Sequence, residues 1–164
     1  MKKNYSQIYF FSENTPFQLK GKKKIKKWIS DVVLQQKHVV GNITFVFCSD
    51  EYLLKLNQLY LNHDTFTDII SFDYSELIGA NKKLIGANKK LINGEIYISI
   101  TRVKENATLN KQTFTQELHR VIIHGILHFC GFKDKRQEEK KLMRKMEDES
   151  LAIIFPESTI LRKG

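Results

Sequence analysis

The first half of the chain alternates apolar runs with segments whose apolar residues recur at helical spacing. Runs rich in β-branched and aromatic residues predict strands over residues 8–11, 41–48 and 66–74. Spacings of three and four predict amphipathic helices over residues 20–36 and 51–61. The predicted buried stripes are Ile25, Trp28, Ile29, Val32 and Val33 in the first helix, and Leu53, Leu54, Leu56, Leu59 and Tyr60 in the second.

The second half begins with a fourth strand and then becomes helical. Residues 94–100 predict that strand, and residues 102–109 predict a short helix or a helical turn. Thr113 and Gln116 have the spacing of a capping box, which predicts the start of a long helix. A final helix is predicted over residues 137–152. The residues of this helix that we expect to face the body of the protein are Leu142, Met143 and Met146.

The order of these elements, β-α-β-α-β-β-α-α, predicts the fold class. We expect an α+β protein with a mixed four-stranded sheet and one layer of helices packed on it. The length suits a single domain over residues 1–164. Right-handed crossovers allow the first three strands to be parallel, whereas the loop between the third and fourth strands indicates an antiparallel pair.

A tandem repeat separates the third and fourth predicted strands. Residues 77–83 recur identically as residues 84–90. A seven-residue period could mark a coiled coil, but two copies containing Gly79 and Gly86 do not sustain one. We therefore predict a loop insertion over residues 76–93, which is tolerated because loop closure costs little per added residue. The lysines of the repeat could still contact a phosphate backbone.

The net charge of +9 favours a polyanionic partner, of which nucleic acid is the commonest; a solvated basic face is the alternative. The first predicted helix carries a lysine cluster that allows both interpretations. Its members are Lys20, Lys22, Lys23, Lys24, Lys26 and Lys27.

The remaining composition indicates a cytoplasmic protein. The apolar runs are far shorter than the roughly 20 residues that cross a bilayer. The N-terminal stretch lacks the apolar core of a secretory signal. Two cysteines, Cys48 and Cys130, are no disulfide framework, which fits a reducing compartment.

Candidate chemistry is concentrated in residues 121–134. His124 and His128 are four positions apart on the predicted long helix, so both imidazoles share one face. Gly131 suits the left-handed residue that ends a helix, and the chain can then turn Asp134 toward the same point. Two nitrogen ligands and one oxygen ligand with a fourth position open are typical of a catalytic zinc site. We therefore predict a zincin-like metal helix that holds one Zn²⁺ per chain through these three residues.

Two other interpretations of these residues stay open. Histidines at this spacing are often ordinary core or surface residues, and Asp134 could cap the final helix, with Gln137 three residues on. The apolar surroundings favour the metal, because unpaired buried imidazoles are costly. Gly125 stands where zinc peptidases of the His-Glu-x-x-His type carry their glutamate base, so ordinary peptide hydrolysis is not expected.

This stretch resembles the signature of the YbeY-type endoribonucleases, which is His-Gly-x-Leu-His-Leu-x-Gly-Tyr-Asp-His. Residues 124–134 read His-Gly-Ile-Leu-His-Phe-Cys-Gly-Phe-Lys-Asp. Residues 66–72 are similar to the family stretch that ends Pro-Thr-Asp-Val-Leu-Ser-Phe, and residues 94–96 to its Gly-Asp-Ile strand. The resemblance covers residues 43–151.

The resemblance assigns roles to individual residues, with two departures. Asp134 occupies the place of the third histidine ligand of the family, and aspartate is a competent zinc ligand. Leu61 occupies the position of an arginine of the family, so other residues have to supply the positive charge that contacts the substrate. The candidate cations are Arg102, Arg120, Lys133, Lys135 and Arg136, of which Arg120 and Lys133 are the candidates for a catalytic role beside His124, His128 and Asp134.

Three further titratable residues have less specific interpretations. Glu117 lies seven residues before His124 on nearly the same helix face, and is either a partner of the metal ligands or part of a surface salt bridge. His63 and His119 fall off that face, so we expect them to be structural or exposed to solvent.

The resemblance implies a zinc-dependent endoribonuclease that cleaves single-stranded RNA in ribosomal RNA maturation and ribosome biogenesis. The expected partners are ribosomal RNA precursors, the small ribosomal subunit and its assembly proteins, with no membrane and no DNA. The alternatives are a metallohydrolase of another substrate, such as a peptide, and a non-catalytic RNA- or ribosome-binding factor with a structural metal. The cleavage position stays open, as does the nucleophile, water or the ribose 2′-hydroxyl.

Overall fold

Five strands form one mixed sheet in the residues that the computed structural model describes, which are 7–77 and 89–159. The strands are β1 (Ile8–Glu13), β2 (Val39–Cys48), β3 (Ile69–Asp73), β4 (Glu76–Leu77) and β5 (Lys90–Ser99). Their spatial order is β1-β2-β5-β3, and β4 pairs with β5 beyond the end of β3. The parallel pairs are β1 with β2 and β2 with β5, whereas β3 and β4 run antiparallel to β5.

The sheet has five strands and not the predicted four, because β4 adds a strand of two residues. The sequence pattern placed Glu76 and Leu77 at the start of a loop, but their backbones pair with Leu91 and Lys90 of β5. Leu91 in turn lies opposite Val39 of β2, so β5 begins before the predicted residue 94. The antiparallel ladder of β4 with β5 thus lies within residues 76–93, which were predicted to be a loop insertion. Most of the tandem repeat lies outside the described residues.

The direction of β3 also differs from the prediction. β5 lies between β2 and β3, is parallel to β2 and is antiparallel to β3, so β3 runs against β1 and β2. The ladder of β3 with β5 continues into that of β4 with β5, so the chain leaves β3 and returns along it in the opposite direction. The predicted antiparallel pairing of these two strands is confirmed.

Five helices accompany the sheet within the described ranges, and they lie on both of its faces. They are α1 (Lys22–Gln35), α2 (Asp50–Leu61), α3 (Ile100–Leu109), α4 (Phe114–Phe129) and α5 (Gln137–Ile154), followed by a 3₁₀ turn (Pro156–Thr159). Ile96 and Ile98 of β5 belong to the main core with α1 and α4, whereas Tyr97 stacks on Tyr52 of α2. Successive strand residues face opposite ways, so α2 covers the other face and the predicted single helical layer is wrong.

The helical burial patterns were predicted with mixed success. All five residues of the α1 stripe are buried, as predicted. In α2, Leu59 and Tyr60 are 75% and 66% exposed, because the buried face of that turn is occupied by Asn57, whose amide donates to the Thr65 carbonyl. In α5, Leu142 is exposed, and Met143 faces the core as expected. No helix within 7–77 and 89–159 is long and apolar enough to cross a bilayer.

Two glycines let α4 lie unusually close to the sheet. A Cβ on Gly94 of β5 would stand 2.5 Å from the Phe129 ring of α4 and 2.5 Å from the Phe72 carbonyl oxygen. A Cβ on Gly125 of α4 would meet only side-chain ends, the Ile96 and Ile69 methyl groups at 3.0 and 3.1 Å. This close approach fixes the depth of the histidine-bearing helix relative to the sheet.

We expect Gly94→Ala to destabilise the protein by about 1–3 kcal/mol, the usual range for overpacking a core, because a backbone oxygen cannot move aside cheaply. Urea denaturation would measure the loss in the free energy of unfolding. Gly125→Ala is the matched control and should cost less, since methyl groups can shift and alanine favours a helix by up to about 1 kcal/mol over glycine. Equal losses in the two variants would contradict this view of the packing.

Candidate metal centre

Local sequence signals fix both ends of α4, the helix that carries the two histidines. The Thr113 hydroxyl accepts a hydrogen bond from the Gln116 amide, and the Gln116 side chain accepts one from the Thr113 amide, so the predicted capping box is confirmed. After the helix, Gly131 has a φ of 104°, a conformation that favours glycine. The Phe132 amide then donates to the Leu127 carbonyl, which turns the chain back over the last turn.

The turn brings Asp134 to the two histidines. The Nε2 atoms of His124 and His128 are 3.0 Å apart, and each lies 3.3 Å from the same carboxylate oxygen, Oδ2 of Asp134. All three side chains are half-buried, so the cluster opens to solvent on one side. The three predicted ligands therefore converge. The alternative for Asp134 is wrong, because the residue at the N-cap of α5 is Arg136.

The second nitrogen of each ring has its own acceptor. Nδ1 of His124 lies 3.0 Å from a carboxylate oxygen of Glu147, and Nδ1 of His128 lies 2.9 Å from the Phe132 carbonyl oxygen. A carbonyl oxygen only accepts, and so does an ionised carboxylate, so each Nδ1 carries the proton and donates. Both Nε2 atoms then present lone pairs to each other and to Asp134. Three such acceptors in mutual contact are stabilised by a proton on one ring or by a metal ion between them, and two imidazoles with a carboxylate are a common metal-binding set.

Glu147 is held in place by a buried arginine. Arg120 donates to Glu147 at 3.0 Å and to Asp148 at 2.8 Å, and its side chain is almost fully buried. Burial alone raises the pKa of Glu147, but hydrogen bonds and positive charge from His124 and Arg120 outweigh it and hold that pKa below its usual value. The candidate catalytic Arg120 is thus buried behind Glu147 and His124.

His124 is electrostatically tied to the same acidic groups. Burial lowers the pKa of His124, but the hydrogen bond and charge of Glu147, with the charges of Asp134 and Asp68, outweigh burial and raise it. The acidic groups around His124 therefore favour a positive charge at this ring, whether it comes from a proton or from a metal ion.

Glu147 was not among the predicted site residues, although its spacing in α5 carries a signal. The buried residues of α5 are Met143, Glu147, Ser150 and Ile154. Their spacing of four, three and four residues marks the inward face of the helix. A glutamate on that line needs a buried partner, and that requirement could have pointed to a histidine or an arginine of α4.

Basic side chains border the open side of the cluster. A cleft of about 420 Å³ is lined by His128, Lys133, Asp134, Lys135, Arg136 and Glu139. Lys133 and Lys135 are exposed there, and Arg136 pairs with Glu139 at 2.9 Å. Exposed ammonium groups beside a metal site can bind a phosphate backbone. The candidate Lys133 thus lies at the cleft, unlike Arg120.

Glu117 is buried, so the surface salt bridge considered for it is wrong. One of its carboxylate oxygens, Oε2, has no hydrogen-bond partner among the described residues. Burial is the main reason that the pKa of Glu117 is raised, and nearby Asp68 adds to it, although Arg120 and Asn110 act in the opposite direction. The pKa of Asp68 is likewise raised by burial.

His63 and His119 agree with their predicted roles. His63 is exposed, and His119 is buried against Trp28 and Phe155. The Nδ1 atom of His119 lies 2.6 Å from the Thr115 carbonyl oxygen, and burial lowers the pKa of this ring. A neutral histidine in an aromatic setting has a structural role. Both cysteines are free thiols.

Two imidazoles of buried α4 and one carboxylate of the turn that follows it, open toward a basic cleft, form a group that could hold a metal ion, as the centres of metal-dependent hydrolases do. A family model described as endoribonuclease YbeY matches residues 9–154. The chain therefore belongs to the endoribonuclease YbeY family, and the resemblance inferred from the signature is confirmed.

Individual relatives agree with this assignment. The chain is 44% identical over 146 residues to the endoribonuclease YbeY of Cytophaga hutchinsonii, covering 89% of this chain and 94% of that protein. It is 46% identical over 151 residues to the endoribonuclease YbeY of Christiangramia forsetii, covering 92% and 96%. A solution structure of a Thermotoga maritima protein has a TM-score of 0.60 at 26% identity, covering 93% of this chain and 91% of that one.

We expect Glu147→Gln to weaken metal binding by roughly 10- to 100-fold, the usual effect of removing the partner of a ligating histidine. The amide can still accept from His124, but the negative charge behind the ring is lost. Competition with a chelator would measure the zinc dissociation constant. Glu149→Gln is the matched control, since Glu149 is exposed on the same helix. Equal affinities in the two variants would show that Glu147 does not support the site.

We expect Glu117→Gln to stabilise the protein at pH 8 and not at pH 3. The pKa of Glu117 is higher in the folded protein than in the unfolded chain, where this carboxyl loses its proton at about pH 4.3. Native stability therefore falls as the pH rises through the folded pKa. Glutamine carries no such penalty, and its amide oxygen still accepts from Asn110. Thermal melting of both proteins across this pH range measures the difference. A variant that is less stable at pH 8 than at pH 3, relative to wild type, would contradict the prediction.

Proposed function

We propose that the protein is a zinc-dependent endoribonuclease that cleaves single-stranded RNA during ribosomal RNA maturation. The observation that carries the proposal is the contact of three acceptor atoms at 3.0–3.3 Å on His124, His128 and Asp134. This centre occurs in a chain of the endoribonuclease YbeY family. Its ligands would form a zincin-like metal helix.

One Zn²⁺ per chain fits this donor set best. Two imidazoles and a carboxylate suit zinc, and their half-buried positions agree with an open fourth coordination site. When bound, the ion would supply Lewis acidity toward a phosphoryl oxygen and toward water. Glu147 and the Phe132 carbonyl hold the two rings through their Nδ1 atoms, which would leave both Nε2 atoms for the ion.

The protein's own cations would position the RNA. Lys133 and Lys135 lie at the cleft and would bind phosphates on either side of the scissile bond. Arg120 would act on the reaction through Glu147 and His124 rather than through the substrate. Fixed positive charge next to the metal ligands stabilises the extra negative charge that develops on the phosphoryl group.

The cellular setting is proposed from the family and from the charge. Ribosomal RNA precursors are the substrate, and the small ribosomal subunit with its assembly proteins is the partner, in the cytoplasm. The net charge of +9 fits an RNA ligand, and neither DNA nor a membrane is part of the proposal. We propose that residues 1–164 act as one endoribonuclease domain.

Peptide hydrolysis, the main alternative chemistry, is disfavoured by the packing at Gly125. A side chain at this position would start against Ile96 and Ile69 of the sheet. A glutamate there could not reach the open side of the metal centre without displacing the core. The alternative of a structural metal is disfavoured by the exposure of the cluster, since structural zinc sites are closed by four protein ligands.

We expect wild-type protein to bind zinc and to cut single-stranded RNA, and His128→Ala and Asp134→Ala to lose both properties. Metal analysis after dialysis and an RNA-cleavage assay with the same preparations measure this. His63→Ala, which changes an exposed histidine outside the centre, is the control and should behave as wild type.

Each other outcome selects a different function. Equal zinc content in His128→Ala and wild type would exclude the proposed site. Cleavage of peptides with RNA left intact would indicate a metallohydrolase of another substrate. RNA binding that weakens with salt, without cleavage at any metal tested, would indicate a binding factor.

A further inference from the structure

A half-exposed aromatic ring lies in the segment that leads into β3. Phe66 is 49% exposed and precedes Ile69 by three residues, a separation of at most about 11 Å along the chain. The Ile69 side chain packs on α4 at Gly125, the residue after His124. Phe66 therefore begins the segment that packs on the part of α4 carrying the candidate metal ligands.

A guanidinium group lies on this ring and is itself held in place. The Cζ atom of Arg102 is 4.6 Å from the centroid of the Phe66 ring. Nε and Nη2 of Arg102 donate to the two carboxylate oxygens of buried Asp50 at 3.1 and 3.0 Å, and Asp50 also accepts from Ser99. A bidentate pair of this kind fixes the plane of the guanidinium. Phe66 and Arg102 thus form a preorganised flat surface, which we call the Phe66 platform.

The end of α2 extends the exposed apolar area in the sequence just before the platform. Leu59, Tyr60 and Leu61 are all exposed, within eight residues of Phe66. Scattered exposed apolar residues are normal, but neighbouring ones next to a reactive centre mark a binding surface. Leu61 occupies the position of the family arginine, so the exposed end of α2 is apolar where the resemblance predicts a positive charge.

We propose that the Phe66 platform stacks a base of single-stranded RNA as the strand enters the metal centre. This inference rests on the proposed function. An aromatic ring backed by a guanidinium is a surface on which a nucleobase stacks, because it combines π-stacking with cation–π attraction. The basic residues at the cleft, Lys133 and Lys135, supply phosphate contacts that an apolar protein partner would not need.

The platform gives the substrate preference a physical basis. A base can lie on Phe66 only if it is unpaired and free to leave its own stack, so duplex RNA cannot use the contact. Stacking tolerates any base, since every base has a π-face. The platform therefore selects single strands over duplexes while leaving the choice of sequence to other contacts.

The test compares Phe66→Leu, Phe66→Trp and Phe11→Leu in the zinc-loaded protein. Phe11 is an equally exposed aromatic on β1, at the opposite edge of the sheet, and is the matched control. Fluorescence anisotropy with a short single-stranded oligoribonucleotide measures the dissociation constant. The readings are taken before cleavage begins, and a gel verifies that the RNA is still intact. Metal analysis of each variant verifies that the centre is unchanged.

We expect Phe66→Leu to raise the dissociation constant by roughly 5- to 100-fold, the effect of removing one stacking partner, and Phe66→Trp to preserve binding. Phe11→Leu should bind as wild type does. The salt dependence of binding should be unchanged in Phe66→Leu, whereas Lys135→Ala should reduce its slope by about one. Duplex RNA should bind Phe66→Leu and wild type equally.

Three results would overturn the inference. Equal single-strand affinity of Phe66→Leu and Phe11→Leu would refute the platform, while zinc-dependent cleavage by wild type would leave the proposed function intact. An equal loss of duplex binding in Phe66→Leu would show that the residue is not a stacking site. Failure of wild type to bind any single-stranded RNA would refute the platform and the proposed function together.

Discussion

The electrostatic repulsion among three lone-pair-bearing atoms is the constraint on which the rest of the site depends. His124, His128 and Asp134 present acceptors to one another at 3.0–3.3 Å, an arrangement that is unfavourable unless a cation lies between them. The fold supplies the restraint that keeps them together. Buried α4 holds the two rings, their Nδ1 atoms are tied to Glu147 and to the Phe132 carbonyl, and the turn after Gly131 holds the carboxylate.

The supporting groups differ in how rigidly they hold each ligand. His124 is backed by Glu147, which is held in turn by buried Arg120, so its orientation is fixed by a chain of charged contacts between α4 and α5. Asp134 comes from an exposed turn with no comparable support from an ion pair to a cationic side chain in the described residues. The histidines therefore form the rigid part of the centre, and the carboxylate is the ligand that can adjust to the ion.

Local spacing was enough to predict the parts of the protein that depend on neighbouring residues. The α1 stripe, the Thr113 capping box and the convergence of the three ligands all follow from positions no more than ten residues apart in sequence. Contacts between distant segments were not predictable in this way. The direction of β3 depends on the position of β5 in the sheet. The exposure of Tyr60 depends on the burial of Asn57, whose side chain donates to the Thr65 carbonyl. Glu147 and Arg120 acquire their role only when α4 and α5 meet.

The position of β5 in the middle of the sheet has a consequence for folding during synthesis. β1, β2 and β3 all precede it in the chain, but the sheet has no continuous ladder until β5 pairs with both β2 and β3. An emerging nascent chain must therefore keep β2 and β3 exposed, as unpaired edges prone to aggregation, until residues 90–99 leave the ribosome. The candidate metal ligands are translated later still, after α3, so the centre forms in the last stage of folding.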